Sequence, residues 1–225
     1  MILAAGRGER MRPLTDSTPK PLIPVAGQSI LDRAMERLAA HGVQDVVVNV
    51  HHLGEQIATH LAGRAQIVRE DRLLETGGSV KNALPQLGSG PWFILNGDGL
   101  WRDGACPMLQ RMEAVWDPKR MDALLLLHPI ARAVGREAKD RGDYFLDDAG
   151  RARHRGSAPD APYMFASVSV CDERLFRASP DGPFSLLELW SRAETSSRLF
   201  GLVHDGAWFH VGTAQALAEA ERLLA

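Results

Sequence analysis

Met1-Ile2-Leu3-Ala4-Ala5-Gly6-Arg7-Gly8-Glu9-Arg10 opens the chain, and its reading governs the rest. Ile2 to Ala5 is a short apolar run with the character of a buried strand, and it breaks at Gly6. Gly6 and Gly8 let the backbone turn sharply and approach a ligand without a Cβ in the way. Consecutive N–H groups in such a turn form a concave anion site, and Arg10 adds positive charge. Many strand-to-helix turns carry a glycine pair, so its meaning depends on what surrounds it. Two familiar readings do not fit. A dinucleotide fingerprint wants a third glycine where Met11 stands, and a phosphate loop of the Gly-Lys-Ser/Thr kind has no counterpart here.

Moving outward, strand-like and helix-like segments alternate. Leu31 to His41 places apolar residues at helical spacing and is followed by Gly42 as a stop. Val46 to Val50 is a nearly continuous apolar run, the mark of a strand covered on both faces. Leu53 to Leu61 reads as a helix, Gln66 to Val68 as a strand, and Ser79 to Leu87 as a helix opened by two glycines. Trp92 to Leu95 reads as a strand ending in Asn96-Gly97-Asp98, Leu109 to Trp116 as a helix, and Ala123 to His128 as a strand. This alternation predicts an α/β fold, a mostly parallel sheet with helices on both faces.

After about residue 130 the rhythm changes. Asp143 to Asp148 and Gly150 to Arg155 predict a hairpin with Asp147-Asp148-Ala149-Gly150 at its turn. Met164 to Val170 alternates as a strand, and Leu186 to Glu194 is helical. Leu199 to His204 and Ala207 to Val211 read as strands around the turn Asp205-Gly206, and Thr213 to Leu224 as a closing helix. No linker divides the chain. The expectation is a single domain over 1–225, with an α/β half of about 1–130 and a mixed half of about 131–225 that lids the sheet.

Bulk properties exclude several classes. The 225 residues carry a net charge of −2, so no basic field exists to hold a nucleic acid. Any phosphate must be held locally. No apolar run reaches the roughly 18 residues of a membrane span. The start is too short for a signal peptide and leads straight into the glycine loop, so a cytoplasmic protein is expected. Cys106 and Cys171 form no zinc pattern; two free thiols are favoured over one disulfide.

Gly6-Arg7-Gly8-Glu9-Arg10-Met11-Arg12-Pro13-Leu14-Thr15, followed by Pro19-Lys20-Pro21-Leu22, closely resembles the signature of the sugar-1-phosphate nucleotidyltransferase family. The prolines around Lys20 stiffen its backbone and hold one ammonium at one point. The resemblance implies a Rossmann-like, GT-A-like nucleotidyltransferase fold with a sugar-binding lid. It also implies that Lys20 faces the triphosphate while Ala5, Gly6, Gly8, Glu9 and Arg10 hold the nucleotide and the departing phosphates.

Asp98, just past a buried strand, suits a Mg²⁺ ligand or equally an ordinary Asp-Gly turn. The resemblance favours the metal, with Mn²⁺ as the alternative ion. Trp208-Phe209-His210-Val211-Gly212-Thr213 is similar to the family's Trp-x-Asp-Val-Gly-Thr, but His210 stands where the family's metal-holding aspartate would be. Imidazole suits softer ions than Mg²⁺, so His210 is a metal ligand, a supporting group or a phosphate contact.

Glu75-Thr76-Gly77-Gly78 resembles the segment beside the nucleobase, and the N-terminal amides of the helix it opens are candidates to face a base or phosphate. Leu74 to Gly78, Lys81 to Pro85, Arg141 to Phe145 and Phe184 to Leu187 look most like the N-acetylmuramic acid 1-phosphate uridylyltransferase branch. That branch implies sugar contacts at Asn96, Gly142 and Asp143. It also implies transfer of a nucleoside monophosphate from UTP to N-acetylmuramic acid 1-phosphate in cell-wall sugar recycling. The Glu-Lys-Pro segment of many hexose-1-phosphate members is missing, and no hexapeptide repeats occur. Mannose-1-phosphate guanylyltransferase and glucose-1-phosphate-type activity remain the alternatives within the class, and an inactive nucleotide-sugar sensor the alternative outside it. Catalysis is expected to rest on Lys20, Arg10 and Asp98, the partners to be small molecules alone, and the protein to be a monomer or weak homodimer.

Overall fold

The computed structural model describes residues 1–224; Ala225, the last residue of the expected domain, lies outside the described residues. The strands in chain order are β1 (Ile2–Leu3), β2 (Pro24–Val25), β3 (Gln28–Ser29), β4 (Val47–Val50), β5 (Gln66–Arg69), β6 (Trp92–Asn96) and β7 (Leu100–Arg102). They continue as β8 (Ala123–Pro129), β9 (Tyr144–Leu146), β10 (Ala152–His154), β11 (Tyr163–Cys171), β12 (Leu199–Val203) and β13 (Ala207–Phe209). The helices are α1 (Leu14–Ser17), α2 (Ile30–Ala40), α3 (Gly54–Leu61), α4 (Glu75–Leu87), α5 (Met108–Val115), α6 (Leu186–Thr195) and α7 (Ala214–Leu224).

The centre of the main sheet is the parallel set β6-β1-β4-β5. β11 joins it antiparallel to β6 and carries β8 and β9, while β12 lies parallel to β8 and β10 antiparallel to β9. The apolar run of β4 explains why helices cover both faces. Val46, Val48 and Val50 pack with Leu31 and Leu38 of α2 and Ile57 and Leu61 of α3. Val47, between them, points the other way, into a cluster with Val80 of α4 and Leu186 and Leu189 of α6. Successive strand residues face opposite sides, so one run of valines feeds two layers.

The helices obey local rules that set where they begin and stop. Ser29 caps α2, its hydroxyl accepting the Asp32 N–H at 3.0 Å, which satisfies an orphan donor of the first turn. Gly42, at φ +88°, lets the chain leave after α2. The buried face between is Ile30, Leu31, Ala34, Met35 and Leu38. Fully burying a side chain such as Leu31 stabilises by about 1.5–3 kcal/mol.

Three features depart from the sequence reading. α4 starts at Glu75 rather than Ser79, so Gly77 and Gly78 lie inside the helix. Ala207 onward does not pair back onto β12: β13 is antiparallel to β7, a strand the sequence did not announce, while β12 pairs with β8. The reason is long range, because the partner of Trp208 is Trp101. A third apolar cluster then joins Met11 beside the glycine loop to Leu100, Phe209, Val211 and Ala220 of α7. This ties the closing helix to the front of the sheet. Both cysteines are free, and burial pushes the Cys171 thiol up to about 11. No helix among the described residues is long and apolar enough to cross a membrane.

Candidate active site

The carboxyl ends of β1, β4, β5 and β6 open onto one cleft of about 600 Å³. Crevices of this kind are where open α/β sheets bind ligands. The glycine loop forms one wall. Gly8 sits at φ +63°, and a Cβ there would lie 2.9 Å from Thr15 Cγ2; its carbonyl accepts the Thr15 hydroxyl at 2.9 Å. Gly6 faces open space, with nothing within 4 Å of where a Cβ would stand. One glycine is thus required by the loop's own packing, while the other keeps the cleft side of the loop bare. Ala5 and Glu9 also line this cleft.

Lys20 lies in a single 3₁₀ turn, Lys20–Leu22, framed by its prolines. It is buried, at 9% exposure, and its Nζ donates to Asp98 Oδ2 at 2.6 Å. Asp98 comes from the turn between β6 and β7, where Gly97 passes so close to β1 that its N–H reaches Leu3 O at 2.7 Å. A side chain at Gly97 would collide with that carbonyl. Two segments 78 residues apart therefore present an ammonium and a carboxylate at the mouth of the cleft.

A second cavity of about 330 Å³ adjoins the first, sharing Arg10, Asn96 and Asp98 with it, and is lined further by Asp140, Asp143 and His210. Burial pushes the His210 imidazole below its ordinary range, with Arg10 and Lys20 acting in the same direction and Asp140 and Asp98 opposing. The balance favours the neutral form of the His210 ring. Arg10 is half exposed, with Glu137 Oε1 at 3.6 Å. The Lys139 ammonium first, then the nearby Arg10, holds the Glu137 carboxyl below the usual range.

The sequence-predicted residues are not all placed alike. Lys20, Arg10 and Asp98 come together, and Glu75 lines the larger cleft. Gly77 and Gly78 do not line it. Their N–H groups both donate to Phe184 O, at 2.8 and 3.0 Å, so these amides are not free to meet a base or phosphate, as the sequence reading had them do. Their lack of side chains serves packing instead: a Cβ at Gly77 would overlap the Phe184 ring and one at Gly78 the Gly182 carbonyl. Gly142 likewise lies outside the cavity walls. At φ +73° it turns the chain against the Ala161 carbonyl, which leaves its neighbour Asp143 in the cavity with Oδ2 accepting Phe165 N–H at 2.9 Å. Sequence reasoning missed four residues: Asn49 and Glu70 on the cleft floor, and Glu137 and Asp140 beside Arg10 and His210. Asn49 alone left a signal, as the one polar residue within the run Val46–Val50.

A hard divalent cation is the cofactor this arrangement brings into question. Among the described residues no group of three or more His, Cys, Asp or Glu side chains is poised to hold a metal ion. Asp98 has one oxygen engaged by Lys20 and no hydrogen bond on the other. That donor set fits an ion such as Mg²⁺, which takes one or two carboxylates and completes its shell with substrate phosphates and water. It does not fit a cage built from protein alone.

An anion-shaped glycine loop, a buried lysine and an aspartate at the carboxyl end of a mostly parallel sheet define a transferase that handles nucleoside triphosphates. Residues 1–129 match the model of the MobA-like NTP transferase domain. Over its whole length the chain is 40% identical to the N-acetylmuramate alpha-1-phosphate uridylyltransferase of Caulobacter vibrioides, covering 96% of that protein. It is 34% identical to the protein of the same name from Neisseria meningitidis serogroup B, over 99% of this chain and 96% of that one. The fold is shared with HddC from Yersinia pseudotuberculosis, solved with GMP-PN, at a TM-score of 0.75 and 18% identity over 100% of this chain and 98% of that one. The chain belongs to the sugar-1-phosphate nucleotidyltransferase family and is most like its N-acetylmuramate 1-phosphate uridylyltransferase branch. It is an enzyme of the nucleotidyltransferase kind.

Proposed function

We propose that the protein transfers the uridylyl group of UTP to N-acetylmuramic acid α-1-phosphate and releases pyrophosphate. The observation that carries this reading is the Lys20–Asp98 pair at 2.6 Å, set between the glycine loop and the smaller, acid-lined cavity. In the proposed reaction a phosphate oxygen of the sugar 1-phosphate attacks the α-phosphorus in line, and pyrophosphate leaves from the opposite side. The nucleophile is already anionic, so no general base is needed, and catalysis is positioning and charge neutralisation. Lys20 neutralises the α-phosphate. The amides of Gly6 to Glu9 and the Arg10 guanidinium take the departing phosphates. Asp98, with His210 in support, would hold Mg²⁺, which supplies charge neutralisation and alignment of the phosphate oxygens when bound.

In this reading residues 1–130 hold the nucleotide and residues 131–225 the sugar, working as one domain. Asn96 and Asp143 supply acceptors and donors to the sugar, and Glu75 lies by the base. The reaction is assigned to the cytoplasm and to peptidoglycan recycling, with small-molecule partners and a monomer or weak homodimer as the working unit. The names of the full-length relatives support the sugar and the base.

The test is a matrix of nucleoside triphosphates against sugar 1-phosphates, with Mg²⁺ or Mn²⁺, read by pyrophosphate release. UTP with N-acetylmuramic acid 1-phosphate is expected to give the highest kcat/KM. Faster turnover of GTP with mannose 1-phosphate would overturn the assignment.

A further inference from the structure

Asn49 and Glu70 are among the few polar side chains buried in the sheet, at 1% and 6% exposure. They stand at the carboxyl ends of β4 and β5 and line the floor of the larger cleft. A buried polar group costs free energy unless its partners are supplied, and here the partners are cleft residues or, for Leu74, the residue between two of them. Asn49 Oδ1 accepts the Ala4 N–H at 3.0 Å, directly before the glycine loop. Asn49 Nδ2 donates to Glu70 Oε1 at 2.8 Å. Glu70 Oε2 accepts the Leu74 N–H at 3.2 Å.

Leu74 is the residue before α4 and offers the helix no side-chain cap. The Glu70 carboxylate accepts the N–H of Leu74 itself, and a negative charge is favoured at a helix N-terminus. The next residue, Glu75, is a non-glycine in the left-handed region at φ +58°. Such a conformation persists only when its surroundings over-determine it. No lysine or arginine pairs with Glu70 among the described residues, so its side-chain partners are the Asn49 amide and the Leu74 N–H.

We propose that Asn49 and Glu70 are a positioning pair for the nucleotide. They lock the glycine loop to the base-side wall across two strands, so that the triphosphate and the base are received at one fixed separation. This rests on the proposed transferase reading. Donor and acceptor roles converge on Glu70: backbone N–H to Asn49 oxygen and Asn49 amide to Glu70 from one side, and backbone N–H to Glu70 from the other.

That convergence supplies the test. Asn49→Asp sets carboxylate against carboxylate. Glu70→Gln leaves an amide NH₂ facing another donor. The double variant Asn49→Asp/Glu70→Gln rebuilds all three hydrogen bonds with the central one reversed and keeps a single negative charge.

The readouts are kcat, the KM of each substrate, and the melting temperature of each variant. Each single variant should raise the KM for the NTP about tenfold, the cost of a lost buried hydrogen bond, and leave the KM for the sugar 1-phosphate within about twofold. The double variant should return the NTP KM to within about threefold of wild type. Single variants with a lowered melting temperature but an unchanged NTP KM would reduce the pair to fold support and overturn the proposal. A double variant as impaired as the singles would overturn it too, because Glu70 would then act through its charge on the nucleotide. Wild-type enzyme inactive across the substrate matrix would instead sink the transferase reading. The pair is then judged by calorimetric titration of the same variants with UTP, the dissociation constant replacing KM under the same criteria.

Discussion

The two cavities meet at Arg10, Asn96 and Asp98 yet are built from different materials. The larger is framed by a glycine loop, strand ends and a helix start held by buried hydrogen bonds, with Lys20, Asn49 and Glu70 set among them. The smaller mixes charged and polar side chains on loops, Asp140, Asp143 and His210, with apolar residues of β11 and β13 such as Phe165 and Trp208. Triphosphates offer the same oxygens whatever base they carry, and rigid amides and one buried ammonium suit them. Sugars differ in which hydroxyls they present, and side chains on loops are the readily varied way to read them. In the proposed reading, with the triphosphate in the larger cavity and the sugar in the smaller, the shared carboxylate at Asp98 is the seam between a general half-site and a particular one.

The largest effect should come from breaking that seam. Lys20→Ala removes the ammonium from Asp98 and is expected to lower kcat by about 10²–10³ for every NTP and sugar pair. Loss confined to one sugar would place Lys20 on the particular side and break the comparison. Steady-state kinetics with two acceptor sugars, alongside a melting curve, makes the distinction.

A smaller effect sharpens it. Asp143→Ala should raise the KM for the sugar 1-phosphate by about tenfold, the scale of a hydrogen bond to a charged group. The KM for the NTP should stay within about twofold, since Asp143 lines the smaller cavity and not the larger. Equal changes in both constants would mean the cavities are not distinct in function.

The smallest effect concerns stability on the side of β13. His128 and His204 are fully buried with ring centroids 6.0 Å apart. The Nδ1 of each has no hydrogen-bond partner. Burial first, and for His128 also the neighbouring His204 and Arg132, pushes both imidazoles below the ordinary 6.5, while backbone carbonyls and, for His204, Asp205 and Asp103 oppose. The unfolded chain therefore takes up protons before the folded one does. Stability is full above about pH 6.5 and is lost as pH falls through the lower folded values, by up to about 1.4 kcal/mol per pH unit for each ring. Thermal melts from pH 7.5 to 5 should show this decline, and His128→Phe/His204→Phe should flatten it. An unchanged slope in that variant would show that the proton uptake occurs elsewhere.

The legible part of this molecule was the part governed by local rules. The valine run of β4, the helical spacing from Leu31 to His41 and the stop at Gly42 each act over a few residues, and their elements lie within a residue or two of where the sequence puts them. Lys20 was legible because prolines on both sides are a local signal. The Asn49–Glu70 contact spans 21 residues and the β7–β13 pairing about a hundred, and no spacing rule reaches that far. Gly77 and Gly78 misled for the opposite reason. Paired glycines before a helical pattern read locally as an opening turn, whereas their actual cause is a segment more than a hundred residues later.

That cause has a consequence for descent. The Gly77 site is filled by the edge of the Phe184 ring, whereas Gly78 faces the main-chain oxygen of Gly182. A side chain at 77 would also stand 2.9 Å from the Phe184 carbonyl oxygen, so a smaller residue at 184 would relieve only part of the conflict. The atom facing position 78 is main chain, which no substitution removes, so glycine is expected there in any descendant that keeps this seam.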